Sequence, residues 1–269
     1  SRPPPTRLQP KRNAERRIVE HGVVRDHAFS VVHMGEPATY DEAMSCAHAE
    51  QWRRATDEEM KSLHENNTWN LVPLPSGRMA IGSKWVFKIK LNKDGGIERY
   101  KARLVAQGFS QKEGMDYHET FAPVVKYKSL RIILALVASL DYNLDQMDVQ
   151  TAFLNAPIKE QVYMKQPQGY EAGGAGMVCR LNKTLYGTKQ APHEWNETFN
   201  TFTLSIGFTR CYSDTCVYIK RSKKGWVMIL SIFVDDIICA YHVSDKQEWE
   251  SIKQLFMNEY KMKDLGACE

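Results

Sequence analysis

A chain of 269 residues with 43% hydrophobic residues can bury one large core or two smaller ones, which excludes an intrinsically disordered protein. Its formal charge of +4 is carried by residues 1–26, where seven Lys or Arg (Arg2, Arg7, Lys11, Arg12, Arg16, Arg17, Arg25) outnumber three acids, so the other 243 residues are neutral and overall basicity is no argument for nucleic acid. The six cysteines form no C-x-x-C pair and no zinc-ligand spacing, the proline-rich start is no secretory leader, and no apolar run approaches the ~20 residues of a membrane span, so the expectation is a soluble cytosolic or nuclear protein with reduced thiols and no membrane partner.

Residues 1 to about 30 carry prolines, charges and little periodicity, the pattern of a linker or disordered tail. From Asp41 to Asn66 the pattern turns helical, with Met44, Trp52, Met60 and Leu63 as apolar anchors and Asp57, Glu58 and Glu59 placed near a helix start. WNLVPLP and the alternating run GSKWVFKIKLNKDGGIERYKARLVAQG predict strands, and the glycines of KDGG (93–96) a hairpin turn: together a basic β-ribbon. Ser129 is the expected cap of a helix with Leu130, Ile133, Leu134, Val137 and Leu140 at helical spacing. The segment QMDVQTAFLN (146–155) alternates as a strand carrying Asp148. A helix with Trp195, Phe199 and Phe202 should stop near Gly207, and VMILSIFVDDIICA (227–240) reads as two strands joined at Asp235 and Asp236. A last helix sets Trp249, Ile252, Phe256 and Tyr260 on one face, after which the chain ends with no closing signal, as a truncation would. Helices mixed with antiparallel hairpins, without a βαβ repeat or G-x-G-x-x-G turn, predict an α+β fold.

Two adjacent acids between strongly apolar strands require compensation, because burying neighbouring carboxylates is costly unless donors or cations neutralise them. A solvated turn is one solution. A magnesium site is the other: hard oxygen ligands hold an ion that keeps several waters and binds substrate phosphates, and Asp148, at its own strand end, can supply a third carboxylate. Two metals roughly 4 Å apart serve in-line nucleotidyl transfer.

The blocks QMDVQTAFLNAPIKEQVYMKQPQGY (146–170), LNKTLYGTKQAPHEW (181–195) and IFVDDI (232–237), preceded by KWVFKIK (84–90) and RYKARLVAQGFSQKEGMDYHETFAPVV (99–125), closely resemble the reverse transcriptase of copia-like retrotransposons, in the right order over about residues 50–268. The resemblance implies a right-hand polymerase: fingers over 41–127 and 157–190, and a palm over 128–156 and 191–269 whose antiparallel sheet packs against helices, with 1–40 as linker and the thumb outside this chain. It implies Asp148, Asp235 and Asp236 as ligands of two Mg²⁺ ions, for which Mn²⁺ can substitute. Phe153, five residues after Asp148, matches the position that walls off the 2′ side of the incoming sugar; alone it would read as a core residue.

Lys101 and Arg103 resemble fingers residues that close on the triphosphate, and Gln190 the glutamine bordering the nucleotide site. Lys84, Lys88 and Lys90 share one strand face, either solvated or tracking the template backbone. The family commonly has tyrosine at Phe233, next to the primer end, and arginine and alanine at His193 and Glu194. Gly187 and Pro192 are expected to be structural, and Trp69, Trp85, Trp195 and Trp249 to pack in cores. The implied activity is RNA-directed DNA polymerisation from deoxynucleoside triphosphates on a primed RNA or DNA template. The implied partners are the rest of a Pol polyprotein (thumb, ribonuclease H, integrase), and the implied setting a cytoplasmic virus-like particle or the nucleus. The competing readings are an inactive retroelement remnant that at most binds nucleic acid, and a metal-dependent nuclease.

Overall fold

The computed structural model describes residues 35–268. The tail expected over 1–40 lies outside the described residues as far as residue 34, and helix α1 (Tyr40–Ser45) already begins at its far edge, capped by Thr39, whose side chain accepts from the Glu42 N–H. Helix α2 (Ala49–Glu65) follows, with Trp52, Met60 and Leu63 buried as their spacing requires. Asp57, Glu58 and Glu59 therefore lie in its middle and not at a helix start, because the helical stretch is broken at Cys46 and restarts at Ala49.

Strands β1 (Trp69–Pro73) and β2 (Ala80–Ile81) precede the ribbon formed by β3 (Ser83–Leu91) and β4 (Ile97–Ala106). The ribbon is antiparallel, and its turn closes where Gly95 takes φ +80°, a conformation that costs glycine nothing. Strands β5 (Tyr142–Val149), β6 (Tyr163–Met164) and β7 (Met177–Leu181) come next, with helix α3 (Tyr127–Ser139) ahead of them. Ser129 is the third residue of α3 and not its cap; its hydroxyl donates instead to Asp214 over 2.6 Å, and the Lys126 N–H donates to the same carboxylate over 2.8 Å. The alternation over 146–155 is also cut short: Thr151 takes φ +54°, which no strand tolerates, and residues 152–155 turn into a 3₁₀ segment.

Helix α4 (Ala191–Ser205) ends just before Gly207 at φ +91°, as the spacing predicts. Strands β8 (Thr209–Arg210), β9 (Val217–Arg221), β10 (Val227–Phe233) and β11 (Asp236–His242), helix α5 (Lys246–Glu259) and β12 (Met262–Ala267) complete the fold. The mixture of packed helices and largely antiparallel sheets is α+β. One sheet has the order β12-β5-β11-β10-β9-β8 and is wholly antiparallel; a second runs β1-β7-β6-β2, and the ribbon stands alone.

Two apolar cores form. One joins α4 and α5 to the six-stranded sheet through Trp195, Phe199, Trp249 and Phe256. The other joins α2 to the ribbon and the four-stranded sheet through Trp52, Trp85, Phe87 and Leu104. Trp85, Trp195 and Trp249 are buried and Trp69 packs half-buried on the second core, so these tryptophans hold the fold together. Among the described residues every cysteine is free and no helix is long and apolar enough to cross a membrane.

Candidate active site

Strand register carries one row of side chains across the six-stranded sheet. Asp148 on β5 stands opposite Asp236 on β11 on one side and Lys263 on β12 on the other, and Asp236 stands opposite Phe233 on β10. Directly opposed residues of antiparallel strands point to the same face, so Lys263, Asp148, Asp236 and Phe233 share one side of the sheet. Asp235 sits with Val234 in the two-residue turn between β10 and β11. Val234 takes φ +56°, strained for a β-branched residue at a cost of about 1–3 kcal/mol. The turn is held against that strain by its neighbours: Trp195 Nε1 donates to the Val234 carbonyl over 2.6 Å, and the Val149 N–H donates to the Asp235 carbonyl over 2.8 Å. With Thr151 just beyond β5, both left-handed β-branched residues flank the aspartates.

The ribbon faces this row. Its register sets Lys88 opposite Lys101, Lys90 opposite Arg99 and Val86 opposite Arg103, so Lys88, Lys90, Arg99, Lys101 and Arg103 lie on one face together with Lys84, while Trp85 and Phe87 go into the core. Like charges directly opposed destabilise a ribbon, and Lys88 alone of this group has an acidic partner among the described ion pairs, Glu36. That excess of cation leads into a cleft of about 230 Å³ in which Arg99, Lys101 and Arg103 meet Asp148 and Asp235, with Glu59 and Tyr186 in its wall.

The electrostatics follow from burial. Asp235 is pushed above the usual carboxylate range, chiefly by burial, with Asp236 and Asp148 adding to the shift and its own backbone N–H and Arg103 opposing it. Glu59 is raised by burial against the Leu104 N–H and the Arg103 and Lys101 charges. Lys101 is lowered by burial and by Arg103 and Arg99. Burial thus disfavours the charged forms of Asp235, Glu59 and Lys101, and the opposite charges across the cleft only partly offset it.

A divalent ion fits this donor set in two respects: Asp148, Asp235 and Asp236 take part in none of the described ion pairs, and burial penalises the Asp235 charge until a cation answers it. The ligands are not gathered into a ready cluster, however. Among the described residues no three His, Cys, Asp or Glu side chains form a metal-holding group, and Asp236 accepts a 3.2 Å hydrogen bond from Gln146 and does not line the cleft.

Of the residues singled out in the sequence, Asp148, Asp235, Lys101 and Arg103 come together. Phe233 is half-exposed beside them. Phe153 does not reach the cleft: it is buried, with its ring edge-to-face on Tyr186 at 4.7 Å. Gln190 is fully buried, donating to the Asp116 carbonyl (2.8 Å) and Glu160 (3.0 Å) and accepting from Gln111 (3.0 Å), so it braces loops and does not line the cleft. His193 and Glu194 are likewise engaged, with the Phe121 carbonyl and Lys159. The cleft also contains Glu59, Arg99, Tyr186 and Lys263, which the sequence did not single out. Tyr186 was within a quoted block, but Glu59 and Lys263 carried no local signal.

Residues 66–269 match the family model of the reverse transcriptase (RNA-dependent DNA polymerase). The chain belongs to that family. Reverse transcriptases generally use divalent metal ions. Over 263 residues, 97% of this chain, it is 43% identical to the Retrovirus-related Pol polyprotein from transposon TNT 1-94 of Nicotiana tabacum, of which that match covers 20%. It is 40% identical over 79% of its length to the Pol polyprotein from transposon RE2 of Arabidopsis thaliana, covering 14% of it. The chain thus spans a fifth or less of these curated relatives, and its kinship is with copia-type retrotransposons. Among solved structures it is similar to a foamy viral protease-reverse transcriptase in complex with double-stranded DNA, at 13% identity and a TM-score of 0.39, over 77% of this chain and 30% of that one.

Proposed function

We propose that this reverse transcriptase chain is the polymerising segment of a Pol polyprotein, joining deoxynucleotides to a primer 3′ end on an RNA or DNA template with release of pyrophosphate. The observation that carries the reading is the cleft in which Asp148 and Asp235 face Lys101, Arg99 and Arg103, because a nucleoside triphosphate with divalent metal is the ligand that answers both sets of charge at once.

On this reading the sheet core is the palm, made of 128–156 and 191–269, and the core around α2 and the ribbon is the fingers, made of 41–127 and 157–190. Asp148, Asp235 and Asp236 would hold two Mg²⁺ ions, with Mn²⁺ a substitute, which would supply activation of the primer hydroxyl and charge neutralisation for the leaving pyrophosphate. Lys101 and Arg103 bind and neutralise the triphosphate, and the ribbon face with Lys84, Lys88 and Lys90 follows the phosphates of the template. Phe233, on the same sheet face as Asp148, supports the primer end. The thumb, ribonuclease H and integrase activities would belong to other parts of the polyprotein.

The test is Mg²⁺-dependent extension of a DNA primer on poly(rA) by the purified chain beside an Asp235→Asn control, repeated with longer flanking Pol sequence. Extension that the control abolishes supports the polymerase and its ligand together. A folded protein that extends nothing in either length would sink the reading and leave a remnant that at most binds nucleic acid.

A further inference from the structure

Helix α3 is apolar along IILALVA (132–138), yet Ile133 is its one buried residue. Leu130 and Val137 pack half-buried beside Ile133 on the core of the six-stranded sheet. Helical spacing turns the other face outward: Tyr127 is 73% exposed, Ile132 62% and Leu134 53%, with Ala135 and Ala138 exposed between and beyond them. A contiguous apolar face of this kind marks contact with another surface.

The charges around α3 are distributed against its own dipole. Lys126, Lys128 and Arg131 stand at its N-terminal end, which is already positive, and the first turn holds no acid. The last turn holds no base to answer its free carbonyls, and the exposed Asp141 just beyond adds negative charge. Lys126 donates to the Ser213 carbonyl over 2.6 Å and Arg131 lies over the Tyr127 ring at 4.9 Å, but Lys128 and Arg131 enter none of the described ion pairs. A second helix laid antiparallel on this face would bring a negative end to the bases and a positive end to Asp141. An unlike partner would have to carry that whole pattern, apolar face and both charged ends; another copy of α3 carries it already.

We propose that α3 is a self-association surface, on which two copies of this chain pair α3 against α3, antiparallel about a twofold axis. With the axis near Ile133 and Leu134, Lys128 of one copy stands beside Ser139 at the C-terminal end of the other, and Ile132 beside Ala135. The small Ala135 and Ala138 let the two helices approach closely. The proposal goes beyond the polymerase reading and does not depend on it.

Two paired helices of about 20 Å each make a small interface, so the dimer should dissociate with a Kd of about 1–100 µM. Sedimentation equilibrium of the 269-residue chain across that range reads it. Ala135→Arg, exposed in the monomer and close to the axis, should abolish the dimer. Ser139→Lys sets two lysine pairs in opposition, one at each end, and should raise Kd by about tenfold. Lys128→Glu removes the base and should also raise it, whereas Lys128→Glu with Ser139→Lys restores opposite charges and should return Kd to within about threefold of wild type. Circular dichroism checks that each variant is folded, and the charge exchange decides the matter should Ala135→Arg not fold. A chain that stays monomeric throughout overturns the proposal, as does a dimer that folded Ala135→Arg leaves intact or a double variant no tighter than the single ones. A longer Pol segment that is monomeric where the 269-residue chain dimerises also overturns it, because a neighbouring segment then covers α3.

Discussion

Among the described residues Lys253 is the most heavily paired charge, and removing it tests how the edge of the six-stranded sheet is held. Its ammonium lies 3.1 Å from Asp145 on β5, 2.9 Å from Asp264 on β12 and 2.9 Å from Glu250 on its own helix, and its side chain is 4% exposed. Asp145, 8% exposed, also accepts from Trp249 Nε1 (2.9 Å) and the Tyr241 hydroxyl (3.3 Å). In Lys253→Met the packing volume stays and the cation goes. Breaking a buried pair from one side costs about 3–5 kcal/mol. The lower end applies, because Asp145 keeps two donors and the other two acids reach water.

At about 2–4 °C per kcal/mol for a domain of this size, a loss of about 3 kcal/mol lowers Tm by about 6–12 °C. Calorimetry or circular dichroism melting reads it directly. Adding Asp145→Asn to Lys253→Met removes the stranded charge while its amide oxygen still accepts from Trp249 Nε1 and its N–H can donate to the Tyr241 hydroxyl, and should recover more than half of the loss. A single variant within about 1 °C of wild type, or a double variant no better than the single one, refutes the reasoning. The consequence reaches the site, since the same β12 places Lys263 opposite Asp148.

Asp235→Asn should raise the Tm of the metal-free chain, because burial penalises its charge; the raised carboxyl also makes the metal-free fold gain stability as pH falls through the raised value toward the ordinary aspartate range, and lose it as pH rises. Mg²⁺ at tenfold its Kd should stabilise wild type by about 1.4 kcal/mol and the variant far less, read by thermal shift. Asp214→Ala removes the acceptor of the Lys126 and Cys216 N–H groups and of the Ser129 hydroxyl, costing about 2 kcal/mol in urea unfolding. Burial raises the Asp214 carboxyl, but these hydrogen bonds outweigh it and hold it below the usual range. Its contribution is therefore present above the ordinary aspartate value and lost as pH falls through the lowered one, so the variant and wild type should converge in acid. Lys84→Ala and Lys90→Ala should each weaken primer–template binding on all sequences alike and flatten its salt dependence by about one counterion, measured by anisotropy across a salt series.

The elements legible in the sequence were those whose signal is local. The ribbon followed from alternation and KDGG, the hairpin at Asp235 and Asp236 from two apolar runs around turn acids, and α4 and α5 from aromatic spacing. Elements held by distant partners were not. Strand β12 is short, mostly exposed and without alternation, and exists because β5 offers it an edge and Lys253 ties down Asp264. Ser129 carries a cap's chemistry, yet its hydroxyl serves Asp214, 85 residues away.

For the site, residue type and order singled out Asp148, Asp235, Lys101 and Arg103, since a motif names chemistry that any fold of the family must present. Which neighbours complete the cleft was decided by tertiary structure alone. Glu59 faces Arg103 because α2 packs on β4, where the Leu104 N–H reaches its carboxylate. Gln190 lies outside the cleft because the buried Gln111 and Asp116 and the half-buried Glu160 hold its amide, and Tyr186 enters it because only a glycine after it permits so close an approach to the ribbon. Composition and periodicity follow the chain and therefore report what each segment can form. Register and burial are set by pairs of segments far apart in sequence, and only those pairings decide which charges meet.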